Sequence, residues 1–182
     1  MGIILVSEVI IIRFSDIQKM TSDGSWQVDF SLSRFVKFIE SEIKENGLQL
    51  NPDFQRGHVW NEMQQIRWLE FLLRGGKTSN VIYLNCPSWY SPVKEGEYND
   101  YVCVDGLQRL TAIRRFINNE IPVFGAYYNE FTDREPNASI KVNMNDLKTR
   151  KEVLQWYIDM NEGGTPHSES EIKRVKDLMR SC

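Results

Sequence analysis

The sequence has few cysteines, and they form no recognisable metal or redox motif. Cys86, Cys103 and Cys182 are an odd, widely spaced set without a CxxC pair. This spacing excludes a paired-cysteine zinc site and a thioredoxin-like redox site. Cys86 and Cys103 also fall in apolar segments typical of strands. An unpaired set of this kind indicates a reducing compartment, so we expect a cytoplasmic protein.

The sequence also lacks a membrane-spanning run and an excess of basic charge. Its N-terminal segment MGIILVSEVIIIRF is broken by Glu8 and has no basic flank. It therefore predicts a strand rather than a signal peptide or a membrane helix. The 22 basic and 25 acidic residues give a net charge of −3, which excludes the broad positive field of a protein that coats nucleic acid. Any polyanion that the protein binds must therefore be bound at a local site.

The overall amino-acid composition indicates one packed domain over residues 1–182. An apolar fraction of 41% and five tryptophans suit a globular core. We divide the domain into an N-terminal strand extension (1–29), a central part and C-terminal helices (140–182). Apolar residues at helical spacing predict a helix from near Ser31 to Gly47, and NEMQQIRWLEFLLRGG predicts a second helix. Asn61 and Gln64 form the capping box of that second helix.

Short β-rich runs alternate with helices in the middle of the chain. VIYLN, YVCVD and IPVFG predict strands, LQL predicts a shorter one, and a helix runs from Leu107 to about Asn118. The C-terminal third predicts two helices split at Gly163-Gly164, the second opening at Ser168. This order predicts an α/β or α+β fold with a mixed sheet of four to five strands flanked by helices.

A strand-to-helix corner in YVCVDGLQRLTAIRRF carries an unusual set of polar residues. One interpretation is structural: Asp105 caps the helix, Gln108 completes a capping box, and Arg109 pairs with Asp105. The other is an anion site, because a cation in the first helical turn is unfavourable unless an anion neutralises it. Gly106 would let phosphate approach the backbone, and the Arg109 guanidinium matches phosphate oxygens. The sequence leaves both interpretations open.

A second polar cluster, NPDFQRGHVW, precedes the second predicted helix. In one interpretation its two aromatic residues anchor an ordered loop whose polar residues face water. In the other, Gln55, Arg56 and His58 join the corner in a convergent polar pocket. The second interpretation requires that the guanidinium groups of Arg56 and Arg109 meet at one hollow and are not satisfied by internal carboxylates.

The chain resembles the domain family of unknown function numbered 262, within the ParB/sulfiredoxin-like superfamily. Three segments carry the resemblance: LNPDFQRGHVWNEMQQIRWLEFLLRG, VCVDGLQRLTAIRRF and NEGGTPHSESEI. The family hallmark is D-G-Q-Q-R, and Leu107 replaces its first Gln. The resemblance extends over nearly the whole chain and implies a ParB/sulfiredoxin-like fold.

The resemblance also implies binding of a nucleoside triphosphate, which some relatives hydrolyse. Relatives include the nucleotide-sensing half of Gmr-type modification-dependent restriction enzymes and the Ssp effectors. By analogy, a helix N-terminus holds the triphosphate. The residues implied to contact the nucleotide are Gly106, Gln108, Arg109, Gln55, Arg56 and His58.

The resemblance further implies catalytic roles for four of the polar residues. Arg109 and Arg56 would stabilise phosphate charge, and Gln108 would orient water or phosphate. Asp105 or Asp53 would position a divalent metal, expected to be Mg²⁺, or a water. We therefore expect a Mg²⁺-dependent nucleoside triphosphatase.

Relatives of this family usually carry an HNH-type nuclease as a second domain. Since His58 and His167 are the only histidines, we expect no nuclease within this chain. The expected partners are a nucleotide, a separate nuclease subunit and a second copy of the chain. A stand-alone domain, as in small phage or mobile-element proteins, is the other expectation, with a bacterial cell or a phage-infected host as its setting.

Two other function classes stay open at this point. The first is a ParB-like DNA-binding protein or DNA nickase. Arg114 and Arg115 would lie on the solvent face of the corner helix, and KTRK and IKRVK would add phosphate contacts. These basic spots are equally explained as solvated helix faces. The second class is a non-catalytic interaction or inhibitor protein that keeps the fold without the chemistry.

Overall fold

The computed structural model describes Phe14, Ile17 and residues 19–55, 57, 59–133, 135, 138–162 and 169–182. Most of the predicted N-terminal strand, together with Ser168 and His167, lies outside the described residues. Within the described ranges the elements are β1 Trp26–Ser31, α1 Leu32–Asn46, α2 Glu62–Leu73, β2 Val81–Asn85, β3 Val102–Asp105, α3 Leu107–Ile117, a 3-10 helix Tyr128–Glu130, β4 Ser139–Asn145, α4 Arg150–Glu162 and α5 Glu169–Arg180.

The four described strands form one mixed sheet in the order β1-β4-β2-β3. β4 is antiparallel to β1 and parallel to β2, and β2 is antiparallel to β3. The prediction of a mixed sheet of four to five strands flanked by helices is confirmed. Among the described helices, none has both the length and the hydropathy needed to cross a bilayer.

β4, one of the two inner strands of the sheet, corrects the predicted start of the C-terminal helices. Residues 139–145 are strand, and the first C-terminal helix begins at Arg150 rather than at residue 140. The segment SIKVNMN does alternate apolar and polar residues, which is the period of a strand. Its asparagines are depleted in strands generally, so composition hides the signal. Here Asn143 and Asn145 are buried, at 3% exposure each.

Two predicted strands are not strands. IPVFG ends in a tight turn in which Val123 and Ala126 exchange backbone hydrogen bonds. Phe124 and Gly125 both have positive φ, as the two central residues of a type I′ turn do. LQL is reduced to a single bridge from Gln49 to Val102. The apolar residues of both runs reflect burial in the core rather than extended pairing.

Helices cover both faces of the sheet. On β3, Cys103 belongs to the hydrophobic cluster under α1, α2 and α3, whereas Val102 and Val104 pack against residues of α4 and α5. Because neighbouring strand residues point to opposite faces, the two C-terminal helices lie on the face opposite to α1–α3. Motifs that are far apart in sequence therefore approach β3 from two sides.

Two predicted helix ends, the C-terminus of α1 and the N-terminus of α2, are confirmed. α1 ends at Gly47, whose φ of 71° is the left-handed conformation of a helix C-cap. At the start of α2, Asn61 and Gln64 form the predicted capping box, with reciprocal bonds of 2.9 Å. These signals depend on neighbours three or four residues away, which the sequence specifies directly.

Candidate functional site

The β3–α3 corner consists of Asp105, Gly106 and Leu107. Gly106 is the N-cap of α3, with a φ of 110° that favours glycine. A Cβ at this position would lie 2.5 Å from Cδ1 and 3.2 Å from Cα of Ile82 on β2. Backbone conformation and packing against β2 therefore both require this glycine. A role in ligand access stays a prediction.

The capping box predicted between Asp105 and Gln108 is wrong. Asp105 is the last residue of β3, so the N-cap position falls on Gly106, and no described side chain caps the helix. Leu107, which departs from the family hallmark, is 7% exposed. An apolar residue suits this buried position.

The predicted pairing of Asp105 with Arg109 is confirmed. Nη2 of Arg109 donates to Oδ2 of Asp105, and Nη1 donates to the carbonyl oxygen of Ser79 at 3.3 Å. The Arg109 side chain is 14% exposed and the Asp105 side chain 39%. The anion-site interpretation required that Arg109 is not satisfied by an internal carboxylate, and this condition is not met. Asp105 already offsets the unfavourable position of this cation in the first helical turn.

Gln108 joins the corner to residues 53–55, 57, 59 and 60, here called the motif loop. Its Oε1 accepts from the backbone N–H groups of Val59 at 2.9 Å and Trp60 at 3.0 Å. Its Nε2 donates to the carbonyl oxygen of Gly57 at 2.8 Å. The carboxamide is thus engaged at both ends by backbone. The geometry makes Gln108 a residue that positions the loop.

Gln55 makes the reciprocal connection from the loop to the strand. Its Nε2 donates to the carbonyl oxygens of Cys103 at 3.0 Å and Val104 at 2.8 Å. Five hydrogen bonds from two glutamines therefore hold the motif loop against the β3–α3 corner. The predicted convergence of the two motifs is observed for these residues. Arg56 and His58 lie outside the described residues.

The C-terminal helices brace the motif loop from the other face of the sheet. The guanidinium of Arg174 on α5 donates to the carbonyl oxygens of Asp53 at 2.6 Å, Phe54 at 2.8 Å and Gln55 at 3.1 Å. Phe54 is buried and packs edge-on against Tyr157 of α4. Sequence reasoning treats Arg174 only as part of the basic spot IKRVK. Its partners are about 120 residues away in the chain, and no local pattern reports them.

The described carboxylates do not form a metal-binding set. Arg150 on α4 donates to Oδ2 of Asp53 at 2.6 Å, and this bond raises the pKa of Arg150. Asp105 is paired with Arg109, as described above. Within the described ranges, no three His, Cys, Asp or Glu side chains cluster as metal ligands would. These residues do not fit a protein-held Mg²⁺, and the Mg²⁺ prediction stays a prediction.

Tyr83 lies opposite Asp105 in the sheet and adds a titratable group near the corner. Burial raises its pKa, the Asp23 and Asp105 carboxylates raise it further, and Arg109 opposes them. The phenol therefore stays protonated at neutral pH and is not suited to act as a general base.

The prediction that Arg114 and Arg115 lie on the solvent face of α3 is wrong. Both are only partly exposed and face other helices. Arg115 donates to Glu62 at 2.9 Å and to Gln65 at 3.0 Å on α2, and Arg114 lies 3.9 Å from Glu40 on α1. An interhelical ion pair accounts for Arg115, whereas Arg114 makes only a distant contact with Glu40. The partial burial of both side chains disfavours a role in DNA binding.

One comparison with known proteins gives a match. The family model described as GmrSD restriction endonuclease, N-terminal domain, matches residues 36–143. This segment is more than half of the chain and contains the motif loop and the corner. Arg150 and Arg174 lie beyond it. No curated protein and no solved structure matches the chain.

Proposed function

The chain belongs to the family of GmrSD restriction endonuclease N-terminal domains, and we propose that it binds a nucleoside triphosphate at the β3–α3 corner and hydrolyses it slowly. The observation that carries the proposal is the set of five hydrogen bonds by which Gln55 and Gln108 join the motif loop to the corner. Such a junction of two polar segments at a helix N-terminus suits a polyphosphate.

The phosphate groups would lie against the first turn of α3. This turn has no side-chain cap among the described residues, so its backbone N–H groups suit an anion. Arg109 has five N–H donors, of which the described contacts use two. An unpaired Arg109 is therefore not needed for binding, since its remaining donors would contact phosphate while Asp105 fixes the guanidinium. The assignment of Arg56 as the second phosphate ligand rests on the family resemblance.

We propose a different part for the two glutamines from the one expected. Gln55 and Gln108 would position the motif loop rather than contact the reacting groups. Asp105 keeps Oδ1 as an acceptor while Oδ2 is held by Arg109, so Asp105 is the candidate to orient a water for attack on the terminal phosphate. A Mg²⁺ ion would arrive on the nucleotide, since the carboxylates of Asp53 and Asp105 are already paired with arginines.

Substitution of Asp105 separates the two roles proposed for it. We expect Arg109→Ala to weaken nucleotide binding by about tenfold or more, because a charge-assisted bond to phosphate is lost. Asp105→Asn is expected to strengthen binding severalfold, by releasing Arg109, while phosphate release falls. Calorimetry with ATP and GTP, together with a phosphate-release assay, measures both effects.

The control for this experiment is Arg67→Ala, which removes an exposed cation from α2. Equal binding by the Arg109 and Arg67 variants would contradict the proposal. If Asp105→Asn instead abolishes Mg²⁺-dependent binding, Asp105 is a metal ligand and its pairing with Arg109 is not the decisive interaction.

DNA binding is a second candidate function, favoured by a basic groove. A groove of about 760 Å³ is lined by Lys94, Lys148, Arg150 and Lys151, with Glu97 as an opposing acid. Lys148 and Arg150 are paired with acidic side chains, whereas Lys94 and Lys151 are exposed. The latter two are the cations available to a phosphate backbone.

Salt dependence tests this second candidate. We expect the double variant Lys94→Ala, Lys151→Ala to reduce the slope of log affinity for duplex DNA against log salt by about 2, since each phosphate contact contributes about 0.9. The matched control is Lys37→Ala, Lys44→Ala on the exposed face of α1. Equal slopes for the two double variants, measured by fluorescence anisotropy, would remove the groove from consideration.

A further inference from the structure

A cavity lies at the far end of α3, away from the corner. It has a volume of about 460 Å³, within the range of small-ligand sites. It is bounded by the start of α1, the end of α2 and the segment that follows α3. Phe116, which lines it, is nine residues from the first residue of α3, or about 13 Å along the helix. The cavity is therefore separate from the proposed nucleotide site.

Aromatic rings set at right angles line this cavity. The ring centre of Phe116 lies 5.4 Å from that of Tyr128, with an angle of 80° between the planes. It lies 6.1 Å from that of Phe131, with an angle of 81°. Phe116 is buried at 3% exposure, whereas Phe131 is 42% exposed. Phe116 is thus the floor, and Phe131 stands near the opening.

The polar groups among the described lining residues are an amide, a phenol and two carboxylates. They belong to Asn129, Tyr128, Asp133 and Glu135, and the described lining includes no Lys, Arg or His. Glu135 is fixed by accepting from the backbone N–H of Ser33 at 3.0 Å and from its hydroxyl at 2.9 Å. Asp133 is exposed at the rim. These charges disfavour an anionic ligand and favour a cation.

A contact between a cation and an aromatic ring is already present at the rim of the cavity. The guanidinium of Arg74 lies 5.0 Å from the ring centre of Phe124, another lining residue. Aromatic faces attract cations because the ring quadrupole is negative above the plane. Perpendicular rings with adjacent carboxylates therefore combine two separate attractions for a positively charged group.

We propose that this cavity binds an organic cation, either an alkylammonium or a guanidinium group. Its apolar part would contact Phe116, and its charge would lie between Phe131 and the carboxylates of Asp133 and Glu135. The site would operate independently of the nucleotide site, since it shares no residue with the corner or the motif loop. Two sources supply this chemistry: a free quaternary ammonium compound and the side chain of an arginine in a partner polypeptide.

Pairs of probes that differ only in charge test the proposal on the full chain. Choline is compared with 3,3-dimethylbutan-1-ol, and N-acetyl-arginine amide with N-acetyl-citrulline amide, by calorimetry and saturation-transfer NMR. We expect at least one cation to bind about tenfold more tightly than its neutral partner. Stronger binding of choline identifies a free ammonium compound, and stronger binding of the arginine amide identifies a polypeptide.

Variants locate the bound cation. Asp133→Asn and Phe131→Ala are each expected to weaken the binding of the preferred probe about fivefold. Glu95→Gln, which removes an exposed acid in the loop between β2 and β3, is the control and should leave it unchanged. The proposal is overturned if neither cation binds, if the neutral partners bind equally, or if the Asp133 and Phe131 variants behave like the control.

Discussion

Gly106→Ala is expected to lower the free energy of unfolding by about 2 to 5 kcal/mol. An L-residue is strained at the φ of 110° found here, which costs about 1 to 2 kcal/mol. The added methyl group would also lie 2.5 Å from the Ile82 side chain and 3.2 Å from its Cα, and overpacking of this kind costs about 1 to 3 kcal/mol. Urea unfolding followed by tryptophan fluorescence measures the change.

Gly96→Ala is the matched control for this prediction. Gly96 also has a positive φ, of 83°, but a Cβ there would meet no atom within 4 Å. Its substitution is therefore expected to cost about 1 kcal/mol, from backbone strain alone. Equal losses in the two variants would show that contact with β2 does not constrain the corner.

Gln108→Ala and Arg174→Ala are expected to release the motif loop without unfolding the domain. Oε1 of Gln108 accepts hydrogen bonds from the backbone N–H groups of Val59 and Trp60. Truncation of Gln108 should therefore speed hydrogen exchange of those amides by about tenfold to a hundredfold. Truncation of Arg174 removes three bonds to loop carbonyls. Amide exchange followed by NMR measures the opening, and nucleotide affinity is expected to fall in both variants.

One control keeps part of the hydrogen bonding at position 108, and the other removes a different arginine of α5. Gln108→Glu keeps acceptors for the two amides but cannot donate to Gly57, so an intermediate exchange rate is expected. Arg180→Ala removes an arginine of α5 whose side chain is 76% exposed, and it should leave exchange in the loop unchanged. Unaltered exchange of Val59 and Trp60 in Gln108→Ala would mean that the glutamine bonds do not hold the loop.

Some of the site follows from relations between neighbours in sequence. The Asp105 and Arg109 pair spans four residues, one helical turn, and the Asn61 and Gln64 capping box spans three. Both are predicted correctly because a helix fixes the distance between such residues. The error at Asp105 is an error of one position, since the strand continues to Asp105 and Gly106 takes the N-cap.

Other parts of the site depend on partners that no local pattern specifies. Gln108 reads as a capping residue, yet its partners are about 50 residues away in the motif loop. The sequence predicts a solvated cation at Arg174, but Arg174 binds three carbonyls of that loop. It predicts a solvent-facing residue at Arg115, but Arg115 joins α3 to α2. The residues next to a polar side chain in sequence do not show whether that side chain is solvated or bonded to a distant partner.

The sequence by itself determined most of the helices, the C-cap of α1, the capping box of α2, the mixed α/β class and the two polar motifs, because these depend on periodicity and on neighbours within one or two helical turns. Only the tertiary structure decided that β4 is one of the two inner strands of the sheet, that α4 and α5 cover the opposite face, and that two glutamines and Arg174 fix the motif loop at the corner. Many partners for each side chain are compatible with the sequence. Burial and long-range hydrogen bonding select one of them, and these interactions form only when the sheet assembles.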